Sequence, residues 1–102
     1  MTPITAEELK FRLDSGEKLN LIDVREPHEN SEFNIGGILV PLGKVQTMMI
    51  DDIDDQKNEE VICYCRSGQR SMQASLMLET FGFTDVKNLT GGMLAWKEKF
   101  GG

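Results

Sequence analysis

Five residues in a row, Val61-Ile62-Cys63-Tyr64-Cys65, form an apolar run, and the polar, glycine-containing stretch Arg66-Ser67-Gly68-Gln69-Arg70-Ser71 follows at once. The run reads as a buried strand. The stretch after it reads as a tight loop with a helix starting directly behind. A thiol delivered to such a loop meets backbone N–H groups and the positive end of a helix. Two arginines flank it. Sites of this kind depress a cysteine pKa from about 8.5 to roughly 4–7. Cys65 is therefore the atom on which function is expected to turn.

The remaining elements set the fold. Ile4-Thr5-Ala6-Glu7-Glu8-Leu9 is a helix start, in which Thr5 caps, Glu8 reaches back and Ile4 staples to Leu9. Ala6, Leu9 and Leu13 form its buried stripe, and Gly16 ends it. Leu19 to Val24 reads as a buried strand. Glu26-Pro27-His28-Glu29 turns into a short helix through Phe33. Gly36-Gly37 breaks the chain before a strand at Ile38-Leu39-Val40. Leu42 to Ile50 reads as a helix with Val45 and Met49 inward. After the loop of Cys65, the spacing of Ala74, Met77, Leu78 and Phe81 predicts an amphipathic helix closed by Gly82. Val86 to Leu89 is a last strand, Thr90-Gly91-Gly92 a loop, and Met93 to Phe100 a final helix. Short apolar strands alternating with helices argue for an α/β fold, a parallel sheet of about five short strands with helices on both faces. Ligands of such folds sit beyond the carboxyl ends of the strands, where Cys65 stands.

With 102 residues, 39% of them hydrophobic, the chain is expected to form one domain, residues 1–102, with its own core. No apolar run reaches the roughly 18 residues of a membrane span. Met1-Thr2-Pro3 does not open a signal peptide. The expectation is a cytoplasmic protein. A net charge of −6 argues against nucleic acid and anionic membranes as partners. Much of the acid lies in Asp51, Asp52, Asp54, Asp55, Glu59 and Glu60, read as a solvated loop. Against that background Arg66 and Arg70 would draw an anionic substrate to the loop by local charge. Two cysteines and one histidine, His28, are too few ligands for zinc, so no metal and no cofactor is expected. A disulfide between Cys63 and Cys65 would be strained. The pair reads as one packed thiol, Cys63, and one reactive thiol, Cys65.

The segment Cys65-Arg66-Ser67-Gly68-Gln69-Arg70-Ser71 resembles the active-site loop of the rhodanese family of sulfurtransferases. Three further blocks resemble that family in the same order: Leu21 to Glu29, Gly36 to Leu42, and Leu89-Thr90-Gly91-Gly92-Met93-Leu94-Ala95-Trp96. The resemblance implies a rhodanese-like domain that moves sulfane sulfur from a donor such as thiosulfate to a nucleophile through a persulfide on Cys65. It implies substrate-binding roles for Arg66, Ser67, Gly68, Gln69, Arg70 and Ser71. It implies structural support from Asp23 and Arg25, the family's Asp-x-Arg signature, tying loops to the sheet edge. Cysteine phosphatases and arsenate reductases resemble the same site but use Cys-x5-Arg. The Cys-x4-Arg count here, Cys65 to Arg70, suits one extra sulfur atom instead of a tetrahedral oxyanion. Arg70, with Arg66, is expected to hold the donor's anionic end.

Smaller expectations attach to single residues. Ser71 is read as a helix cap, Gly68 as a positive-φ turn residue, Trp96 as core and His28 as surface. The Gly101-Gly102 end resembles that of ubiquitin-like sulfur carriers, but the rest of the chain is not β-grasp-like. The usual His and Pro of the family's second block are missing from Glu32-Phe33-Asn34-Ile35-Gly36-Gly37. The version found, with Val40-Pro41-Leu42, looks like rhodanese domains fused to E1-like adenylyltransferases. That widens the expected partners from small anionic donors to protein donors or acceptors. The rivals to a free enzyme are a persulfide carrier serving a partner protein and a non-catalytic binding module.

Overall fold

A computed structural model describes residues 1–101. Five strands, Thr2–Ile4 (β1), Asn20–Asp23 (β2), Ile38–Leu39 (β3), Glu60–Tyr64 (β4) and Asp85–Leu89 (β5), form one sheet in the order β1-β5-β4-β2-β3. Every pairing is parallel. The helices are Ala6–Asp14 (α1), Pro27–Glu32 (α2), Leu42–Gln46 (α3), Gln69–Thr80 (α4) and Gly92–Phe100 (α5), with a 3-10 turn at Asp54–Gln56. The expected α/β architecture is thus present.

β4 lies in the middle of the sheet. Its Val61 to Tyr64 pair with Asn20 to Asp23 of β2, and its Glu60 to Cys63 with Asp85 to Asn88 of β5. Successive side chains of a strand point to opposite faces, so β4 feeds two cores. Val61, Cys63 and Cys65 pack with Ile22, Val24, Val86, Val45, Ala74 and Leu78 beneath α3 and α4. Ile62 and Tyr64 pack with Leu21, Leu89, Ala6, Leu9, Met93 and Trp96 beneath α1 and α5. Burial on both faces explains why the run carries no polar residue. Trp96 is core and His28 is exposed, as expected.

Helix α1 begins with the predicted capping box. Glu8 N donates to Thr5 Oγ1 at 3.0 Å and Thr5 N to Glu8 Oε1 at 3.2 Å. Two expectations fail. Helix α3 ends at Gln46, because Met48 takes a left-handed φ of 60°, and Met49 is exposed instead of inward. The strand that sequence reading missed is β1. It is short, and Pro3 offers no N–H, which suits a strand bonded on one side only.

Part of the acidic segment is structural. Glu60 opens β4 and accepts from Arg12 at 2.9 Å, with a second, shorter bond from the same guanidinium; Lys87 lies at 2.8 Å. The Arg12 guanidinium, opposed by partial burial and aided by Lys87, holds the Glu60 carboxyl down at about 2. A carboxyl depressed in the folded state stabilises the fold above its unfolded pKa of about 4.3, and that contribution is lost as pH falls through the folded value. We expect Glu60→Gln to be destabilised by about 1 kcal/mol at pH 6. Its deficit relative to the parent should shrink as urea unfolding is followed down to pH 3.

Candidate functional site

Cys65 is the first residue beyond β4, at the carboxyl end of the central strand. The chain then turns through Arg66 and Ser67 to Gly68, which takes φ 100° and precedes α4. The predicted positive φ is therefore present. Having no side chain, Gly68 cannot cap the helix it precedes. The sulfur of Cys65 takes that part. Gly68 N donates to Cys65 Sγ at 3.1 Å and Ser71 N, from the third residue of α4, at 3.3 Å. Ser71 consequently stands inside the helix, not at its cap, and its hydroxyl lies 3.4 Å from the sulfur. A serine hydrogen-bonded to the sulfur thus replaces the expected cap.

These donors decide the ionisation. Burial, the largest single influence, raises the Cys65 pKa. The Ser71 hydroxyl and the N–H groups of Ser71, Gly68 and Ser67 together outweigh it, and the net shift is downward. The neighbouring Cys63 has no such donors from the backbone, and burial pushes its thiol up to about 12. Both cysteines are free. Only 1% of Cys65 is exposed, so a reactant has to insert a small group into the loop to reach the sulfur.

The loop is tied from three directions. From α5, Met93 N donates to Cys65 O at 2.9 Å and Leu94 N to Arg66 O at 3.0 Å. A Cβ on Gly92 would fall 2.4 Å from Cys65 O, so only glycine allows this approach. From β5, the buried Asn88 donates through Nδ2 to Gly68 O at 3.2 Å and accepts a short hydrogen bond from Ser71 Oγ at its Oδ1. From α2, Glu29 engages Arg70 in a two-pronged ion pair at 2.8 and 2.9 Å. That pair holds the Glu29 carboxyl down at about 2 against the effect of partial burial. Glu29 also accepts from Glu26 N at 3.0 Å, so one carboxylate joins the start of α2 to the first turn of α4.

The remaining predicted residues divide by exposure. Arg66, Ser67 and Gln69 are exposed around the loop. Arg66 borders a cleft of about 100 Å³ with Lys97 and Phe33, and Ser67 and Gln69 border an open, largely apolar groove of about 590 Å³ with Met72 and Leu76. Asp23 and Arg25 are buried. Asp23 Oδ1 accepts from Arg25 N and Nε at 3.0 and 2.9 Å, and Oδ2 from Arg25 Nη2 and Asn30 Nδ2 at 2.8 and 2.9 Å. Arg25 reaches on to Phe33 O. The lock lies at the carboxyl end of β2, an interior strand, and not at a lateral edge of the sheet. Sequence reading missed Glu29, Asn88 and Gly92. Glu29 and Gly92 lay inside two of the family-like blocks, and Asn88 stood out as an amide within the strand Val86-Lys87-Asn88-Leu89.

Residues 5–99 match the family described as Rhodanese-like domain, and the chain belongs to that family. It is 36% identical over 97 residues to the putative sulfur carrier protein YrkF of Bacillus subtilis, covering 94% of this chain and 51% of that protein. It is 36% identical over 98 residues to the probable adenylyltransferase/sulfurtransferase MoeZ of Mycobacterium tuberculosis, covering 94% and 24%. The chain thus spans about half of one relative and a quarter of the other. A solved rhodanese-like domain protein from Staphylococcus aureus superposes with a TM-score of 0.82 at 31% identity, covering 94% of this chain and 91% of that one.

The two-pronged pair of Arg70 and Glu29 is partly buried, and each group is the other's partner. We expect Arg70→Met and Glu29→Gln each to lower stability by about 1 kcal/mol. The double variant should lose little more than either alone in urea unfolding, the signature of a shared interaction. Additive losses would mean that the two side chains act separately.

Proposed function

We propose that this chain transfers sulfane sulfur through a persulfide on Cys65. The observation that carries this reading is the convergence of the Gly68 and Ser71 N–H groups and the Ser71 hydroxyl on one sulfur at the start of α4. The two N–H groups, fixed in the backbone, stabilise a thiolate without having to reorganise. The thiolate attacks the outer sulfur of a donor such as thiosulfate. The new Cys65–sulfur bond forms as the donor's own sulfur–sulfur bond breaks, and sulfite leaves with the electron pair. In the second half an acceptor nucleophile attacks the terminal sulfur of the persulfide, and Cys65 leaves as thiolate. This is covalent catalysis in two displacements. No proton has to be removed from Cys65 at the moment of attack, so the site works without a neighbouring base.

The depth of Cys65 supports a small transferred group. The short loop between Cys65 and Arg70 is consistent with one sulfur atom in place of a phosphoryl group. Arg66, exposed beside the loop, is assigned to the donor's anionic end, and Ser67 and Gln69 to its rim. Arg70 is assigned a different role from the one its spacing suggested. With its guanidinium fork engaged by Glu29, it supports the loop and contributes positive charge near the sulfur. A protein acceptor or donor is the second reading, in which the domain carries sulfur for a partner. It is supported by the sulfur carrier name of one relative and the adenylyltransferase/sulfurtransferase name of another.

The test is intact mass. After incubation with thiosulfate or with an inorganic polysulfide, the parent protein is expected to gain the mass of one sulfur atom, reversed by a thiol reductant. Cys65→Ser, still folded by circular dichroism, should gain none. Loading that persists in the variant, or that maps to Cys63, would contradict the assignment. Arg70→Met should lose loading rate with both donors, and Arg66→Met should lose roughly tenfold with thiosulfate, for one lost charge-assisted hydrogen bond.

A further inference from the structure

The Ser71 hydroxyl has one proton and three acceptors within reach. Cys65 Sγ lies at 3.4 Å, Gly68 O at 3.2 Å, and Asn88 Oδ1 is the closest. The orientation of the Asn88 amide is fixed independently. Gly68 O can only accept, so the Asn88 group 3.2 Å from it must be the NH₂. Oδ1 is therefore the atom that faces Ser71. Ser71 is fully buried and Asn88 nearly so, at 5% exposure, which keeps water from substituting for a missing partner. The hydroxyl cannot donate to the sulfur and to Asn88 at once.

We propose that Asn88 is a positioning residue that competes with Cys65 for the Ser71 proton, favouring every state in which the Cys65 sulfur is uncharged. When Cys65 is a thiol, its S–H donates to Ser71 Oγ and Ser71 donates to Asn88, and each buried group is satisfied. When the thiol proton leaves to water, the Ser71 O–H turns to the sulfur and Asn88 Oδ1 loses its donor. When a sulfur atom is added, the Cys65 sulfur becomes the neutral inner atom of a persulfide and the negative charge moves outward. The Ser71 proton then returns to Asn88. The amide thereby pulls the loading step forward at the cost of a less populated thiolate. This rests on the reading of Cys65 as the sulfur-accepting thiolate.

The charged and titratable groups around Cys65 are few and differently placed. Arg66 follows it in the loop, and Arg70 of α4 is held by Glu29 with Glu26 nearby. Cys63 shares its face of β4, and from α5 Lys97 lines the cleft beside Arg66. On β5, Lys87 adjoins Asn88 in sequence but pairs with Glu60 and Asp85. None of these groups bonds to the Ser71 hydroxyl, so the competition can be isolated by substitution at residues 71 and 88.

The experiment is the titration of Cys65, read as thiolate absorbance and as alkylation rate against pH, in the parent, Asn88→Leu, Ser71→Ala and the double variant. Ser71→Ala should raise the midpoint by about one unit, the equivalent of one hydrogen bond to a charge. Asn88→Leu should lower it by roughly half a unit, because the proton is released to the sulfur. In the double variant, Asn88→Leu should add no shift to that of Ser71→Ala. A midpoint that rises in Asn88→Leu would overturn the proposal, as would one that still shifts when Ser71 is absent. Either result would show that Asn88 acts by holding Gly68 O. If Asn88→Leu does not fold, Asn88→Ala is judged by the same criteria. Persulfide loading is scored separately by mass. Normal loading without the coupling removes the proposal alone, and the coupling without loading removes the sulfur-transfer reading alone.

Discussion

The sulfur of Cys65 occupies the place that a serine or aspartate side chain usually holds at a helix start. The first N–H groups of any α-helix lack partners within it and carry part of its dipole's positive charge. In α4 the residue before the helix is Gly68, which can make the sharp turn but offers no oxygen. The acceptor comes instead from the end of β4, three residues earlier. A neutral thiol is a poor acceptor for this purpose, and a thiolate is a good one. The geometry that completes the helix is thus the geometry that lowers the cysteine's pKa.

The surrounding structure keeps that atom's neighbours still. Asn88 holds the Gly68 carbonyl from β5, the start of α5 holds the carbonyls of Cys65 and Arg66, and Glu29 holds Arg70 from α2. Behind α2, Asp23 and Arg25 lock the end of β2 to Asn30 and Phe33. Each tie originates at the carboxyl end of a strand or the amino end of a helix, the side of a parallel sheet where unpaired donors collect. The arrangement supplies preorganised dipoles and leaves a reactant only a narrow way in.

Much of this was legible in the residues. The unbroken apolar run Val61–Cys65 identified a strand buried on both faces, and its abrupt end at Arg66 placed the loop. Thr5 and Glu8 announced α1 by a local rule that needs no tertiary information. What sequence could not give were contacts between distant segments. Glu29 and Arg70 are 41 residues apart, and Asn88 meets Ser71 across 17. Arg70 read as a free substrate arm because its partner is invisible in the local pattern. Ser71 read as a cap because serines cap helices, and only the structure shows a sulfur already in that position. The extension of α3 to Ile50, with Met49 inward, followed an i, i+4 spacing from Val45 that the backbone breaks at Met48.

If one set of donors both completes α4 and ionises Cys65, the charge on the sulfur must stabilise the fold. The direct measurement is the urea-unfolding free energy of the parent and of Cys65→Ala between pH 6 and 9.5. A thiol whose pKa is lowered on folding contributes stability that is fully present above its unfolded pKa and is lost as pH falls through the folded value. The parent's advantage over Cys65→Ala should therefore grow as pH rises and level off above about 8.5, where the unfolded thiol also ionises. Cys63, whose burial pushes its pKa up to about 12, opposes folding in alkali in both proteins and cancels in the comparison. An advantage that stays flat with pH, or declines, would show that the helix start does not hold a thiolate.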